Sequence, residues 1–199
     1  MWKSTFAHFL FVGGLSVKQV LTGQILLILC CVVYLVWWYR GFRPGVYVSR
    51  AGGVNGVLLL ITAALGMAGI IFSLMPVQYV TEPIFSQLST IICGIAAYIL
   101  LLAVTKWGFH RIVTTELILI AGWTTLEMAV VNKLYASGAM SYGGLLLTLF
   151  VIAAAFLISI VLYVAYYRME EMKAFYAAMV PLVTEAIAMA VILIVSAIE

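Results

Sequence analysis

Two glutamates, Glu116 and Glu127, stand in the apolar stretch 111–134. They are about eleven residues apart, or three helical turns, so they fall on nearly one helix face, roughly 16 Å apart along the axis. Ile120, Trp123 and Thr124 lie between them on that face, while Leu117, Ile118, Leu119 and Met128 make the other side aliphatic. Carboxyls in a membrane-length helix rarely face lipid, so this stripe is expected to face protein or water. A third acid, Glu185, follows Thr184 deep in the last apolar stretch, one turn after Pro181. A proline inside a helix removes a backbone hydrogen bond and clashes with the preceding turn, so the helix is expected to break there and restart near Thr184 and Glu185. A helix break beside an acid is a common way to build an ion or substrate site inside a membrane, and a buried carboxyl can take up and release a proton. The candidate path residues are therefore Glu185, Thr184, Glu116, Glu127, Trp123 and Thr124.

Structural roles compete with this reading. Glu116 can reach the cytoplasmic headgroups, helped by the helix N-terminus and Arg111. Glu127 can pair with Lys18 or Lys133 near the outer surface. Glu185 has no basic neighbour in its own span and, unpaired near mid-membrane, costs about 2–3 kcal/mol. It is expected to be protonated, or paired across helices with Lys106 or Lys173.

Other chemistry has less support. The chain has no aspartate, which removes enzyme types built on paired aspartates. His8 and His110 form no metal-binding pattern. Cys30, Cys31 and Cys93 lie in apolar spans, where a thiol acts as a small hydrophobe. No catalytic residue, cofactor or metal site is expected, and enzyme activity is disfavoured.

The elements that must position the acids follow from composition. Of 199 residues, 66% are hydrophobic and only 9% charged, against roughly 25% charged in soluble domains. A soluble fold cannot hide that much apolar surface, so lipid must be the solvent for much of it. The expected fold class is all-α, a polytopic helical bundle in a single integral membrane domain over 1–199. Spans are expected at about 21–39, 53–75, 83–105, 112–131, 144–167 and 174–198. Residues 1–20 hold an apolar run too short to span, ending at Gly13-Gly14, and read as an interfacial helix with Trp2 and Lys3 at the headgroups. If that segment crosses, the spans number seven. Gly52 and Gly56 give a GxxxG spacing that permits close helix approach.

The loops after spans one, three and five hold Arg40, Arg43, Arg50, Lys106, Arg111, Arg168 and Lys173, while the other side holds Lys3, Lys18 and Lys133. The positive-inside rule then puts both termini outside and the odd loops in the cytoplasm, in a membrane expected to be a prokaryotic cell membrane. The expected function is a small multi-pass transporter or channel-like protein moving a small solute or ion, with proton coupling through the intramembrane glutamates. The alternative is a non-catalytic membrane subunit of an export, envelope-assembly or respiratory complex. The expected partners are the lipid bilayer and either further copies of the chain or other membrane subunits, with no nucleic acid.

Overall fold

A computed structural model describes residues 2–45, 53–74, 115–166 and 168–198, and within these the side chains other than those of 2–16, 74 and 115–119. Among them every regular element is helical. The helices are α1 (Trp2–Phe42), α2 (Val54–Leu74), α3 (Thr115–Ala136), α4 (Tyr142–Tyr166), α5 (Glu171–Ala177) and α6 (Val180–Ile198). Four segments are long and apolar enough to cross a membrane: Val17–Phe42, Val54–Ser73, Tyr142–Tyr166 and Glu171–Ile198. Among the described residues the chain is thus a helical bundle with four candidate membrane spans, short of the six expected. The third expected span, 83–105, lies outside the described residues, and the fourth corresponds to α3, which falls outside those four segments.

Helix ends differ from expectation where local capping decides them. α1 runs unbroken through Gly13-Gly14, where the sequence pattern ends the short apolar run. α3 continues past the expected end to Ala136, because the chain closes only at Gly138, whose φ of 74° suits a residue without a side chain. There the Gly138 N–H donates to the Tyr135 carbonyl at 3.0 Å, and the Ala139 N–H donates to that of Leu134 at 2.9 Å. α4 starts at Tyr142 because Ser141 Oγ accepts the Gly144 N–H at 3.1 Å, a hydroxyl N-cap. The break in the last span lies at Ala178–Met179, earlier than the expected restart at Thr184. Proline is best tolerated in a first turn, where its missing N–H is not needed, and α6 accordingly begins at Val180 with Pro181 next.

The core is assembled from α1, α3, α4 and α6. One cluster joins Val20 of α1, Val130, Val131 and Leu134 of α3, Ile152 of α4 and Ile192 of α6. A second, about two turns along α1, joins Leu27 and Cys31 to Met189 of α6, with Trp123 and Leu126 of α3 packed against them. α4 buries Gly144, Thr148, Ile152, Ala155 and Ser159, a stripe at three- and four-residue spacing. α2 packs chiefly on α1. Its outer side exposes Leu60 at 71% and Met67 at 66%, and α4 exposes Phe150 at 72%, as suits surfaces solvated by lipid tails.

The α1–α2 contact is closer than side chains would normally allow. A Cβ on Gly23 would lie 2.7 Å from the Ser73 backbone nitrogen and 2.9 Å from the Gly69 carbonyl oxygen. This pair of glycines sets the crossing, whereas Gly52 lies outside the described residues. Polar groups stitch the same seam: Gln24 Nε2 donates to Ser73 Oγ at 3.4 Å, Cys30 Sγ to the Thr62 carbonyl at 3.3 Å, and Arg40 Nε to Asn55 Oδ1 at 3.3 Å.

Candidate functional site

α3 and α6 each contribute one buried acid to the interior of the bundle. Glu127 follows Trp123 and Leu126 on the α3 face that meets α1 and α6. Glu185 precedes Ala186 and Met189 on the α6 face that meets α1 and α3. Glu127 is 0% exposed and Glu185 5% exposed. Their carboxyl groups lie within electrostatic reach of each other, and the Trp123 indole N–H sits beside Glu127. None of the four carboxyl oxygens has a well-formed hydrogen bond among the described residues. The Cys31 thiol of α1, 1% exposed, is in electrostatic range of both acids.

The start of α6 sets the position of Glu185. α5 ends at Ala177, the chain turns at Ala178–Met179, and Glu185 sits in the second turn after Val180. Helical side chains lean toward the N-terminus, so this carboxyl projects back toward the break. Thr184 Oγ1 donates to the Pro181 carbonyl at 2.8 Å, which holds the first turn together instead of reaching into the site. Thr124 is used likewise, its hydroxyl donating to the Ile120 carbonyl at 2.9 Å. Both threonines are half-buried.

The structure therefore brings Glu127, Glu185 and Trp123 together and turns Thr184 and Thr124 onto their own helices. Glu116 lies in the first turn of α3, with its side chain outside the described residues. The partners weighed for the acids are arranged differently from the lysine pairings set out above. Lys18 is exposed, and Lys173 pairs with Glu170 at 3.0 Å on the surface. Lys106 lies outside the described residues, and Lys133 is buried about two turns beyond Glu127. Among the described residues, each of the two buried acids has the other as its charged neighbour.

Sequence reasoning passed over Gln24 and took Cys31 only as a small hydrophobe. Gln24 is fully buried, with its amide oxygen lacking a well-formed hydrogen bond among the described residues. The available signal was an amide inside an otherwise apolar span. Cys31 carried no comparable signal, since only the packing of α1 on α6 gives it acidic neighbours.

Two adjacent carboxyls in an apolar interior cannot both ionise without large cost. The arrangement can hold protons, donate a hydrogen bond from one carboxyl to the other, and change net charge by gaining or losing a proton. Among the described residues no group of three His, Cys, Asp or Glu side chains is placed to hold a metal ion. No family model, curated protein or solved structure matches the chain.

Proposed function

We propose that this chain is a small multi-pass membrane transporter or channel-like protein that moves a small solute or ion, with the Glu127–Glu185 pair as its proton-coupling site. The observation behind this reading is the placement of two acids from different helices beside each other in the bundle interior. An unpaired charge at mid-membrane is costly, and apolar residues of similar volume would commonly fill such a place at lower free energy. Acids kept at that cost are best explained by use. Six membrane crossings, with the odd loops cytoplasmic, complete the reading. It is supported by the contact between Tyr39, at the end of α1, and Phe175 of α5, with ring centroids 6.0 Å apart. That contact gathers Arg40, Arg43 and Lys173 at one end of the bundle, as the positive-inside rule requires of one membrane side.

The test is reconstitution of the protein alone into liposomes holding a pH-sensitive dye. A pH gradient is imposed and a panel of small cations, anions and neutral solutes is added in turn. The expected result is a solute-dependent change of internal pH absent from empty liposomes. Flux that appears only when a co-purifying membrane protein is included would replace this reading with that of a complex subunit.

A further inference from the structure

Resting on the reading of the acid pair as the coupling site, we infer that the pair exchanges one proton per chain, carried on Glu185, while Glu127 keeps its own proton and donates it to Glu185. The two acids are not equivalent. Glu127 is fully enclosed, in mid-helix, against the Trp123 indole. Glu185 retains 5% exposure and sits in the second turn after the α5–α6 break, where the helical backbone is already interrupted. Of the two, Glu185 is the one a small rearrangement can open to water.

Among the described residues the surroundings leave the pair to balance its own charge. From α1, the Cys31 thiol faces it, Cys30 is committed to the Thr62 carbonyl, and Lys18 is exposed. α2 carries no titratable side chain. On α3, Lys133 is about two turns beyond Glu127 and about 120° round the helix, and Glu116 lies at the other end. The buried stripe of α4 offers the hydroxyls of Thr148 and Ser159, and its tyrosines lie outside that stripe. α5 holds its Lys173 against Glu170 at the surface, and Glu185 is the sole titratable group of α6. Adjacent carboxylates repel, so the first proton stays in the pair and only the second exchanges. In the loaded state both carboxyls are neutral. In the unloaded state the Glu127 O–H donates to the Glu185 carboxylate, a charge-assisted bond that makes the anion tolerable.

The test is infrared difference spectroscopy of the detergent-solubilised protein, titrated across roughly pH 4 to 8. The carbonyl stretch of a protonated carboxyl is followed, with the Glu127→Gln/Glu185→Gln double variant as baseline. The expected wild-type result is loss of one protonated carboxyl per chain as pH rises, with a second persisting. Glu127→Gln, whose amide can still donate, keeps the titrating carboxyl. Glu185→Gln loses the titration and keeps the persistent band. The inference fails if two carboxyls titrate, if none does, or if the variants behave in reverse. It fails equally if sodium chloride at constant pH removes the band, which would make the pair a cation site. The wild-type count stands alone should a variant not fold, and none of these readouts needs transport, so absence of flux would fail the transport reading separately.

Discussion

Adding a single methyl group at Gly23 is expected to pry α1 from α2. The Cβ of Gly23→Ala would point at Ser73 and come 2.7 Å from its backbone nitrogen and 2.9 Å from the Gly69 carbonyl oxygen. Backbone atoms cannot rotate away, so the helices must separate by several tenths of an ångström. Overpacking of this kind costs about 1–3 kcal/mol, and loss of the Gln24–Ser73 hydrogen bond, 3.4 Å long, adds about 0.6 kcal/mol. The better helix propensity of alanine returns about 0.5–1 kcal/mol, so the net loss is about 0.6–3 kcal/mol. At Gly69 the added methyl would meet Leu27 Cγ and Cδ2 at 2.7 Å and the Gly23 carbonyl oxygen at 3.2 Å. That variant should also lose stability, but less, since its tightest contacts are with a side chain and not with backbone. At Gly122 nothing lies within 4 Å of the added atom, and alanine should be neutral or stabilising by up to about 1 kcal/mol. Unfolding in mixed micelles should therefore rank Gly122→Ala at or above wild type, then Gly69→Ala, then Gly23→Ala. Gly23→Ala as stable as wild type would refute the close α1–α2 crossing.

Cysteines introduced at Ser49 and Ser137 should label from opposite sides of the membrane, as the distribution of basic residues demands. Labelling of Ser49→Cys by an impermeant reagent from outside intact cells would overturn that orientation. The native Cys30 and Cys31 are buried and should stay unreactive in the same experiment. Replacing both acids, Glu127→Met with Glu185→Met, should raise the melting temperature in detergent, because a buried polar pair exchanged for apolar volume commonly gains about 1–4 kcal/mol. A double variant that melts well below wild type would give the pair a structural role instead.

The long apolar runs made most of the helices legible, since membrane-length hydrophobicity leaves a chain few alternatives. Their exact ends were less so, because they depend on single caps: Ser141 at the start of α4, Gly138 beyond α3, and Pro181 in the first turn of α6. Each buried acid was visible individually as a charge in the wrong solvent. Their pairing was not, because Glu127 and Glu185 lie on separate spans and only the packing of α3 and α6 against α1 brings them together. The neighbouring sequence points Glu127 toward Lys133 instead, and gives Glu185 no basic neighbour in its own span. The close approach of Gly23 and Gly69 was likewise hidden, because the two glycines sit on different helices, where no local pattern can show it.

The most direct test of the coupling role is solute-dependent proton movement in liposomes holding wild type, Glu185→Gln or Glu127→Gln, with matched amounts of folded protein. Wild type should move protons with solute, Glu185→Gln should lose that movement while melting close to wild type, and Glu127→Gln should retain a measurable part of it. Unchanged proton movement in Glu185→Gln, which cannot ionise at this position, would contradict the assignment of the pair as the coupling site.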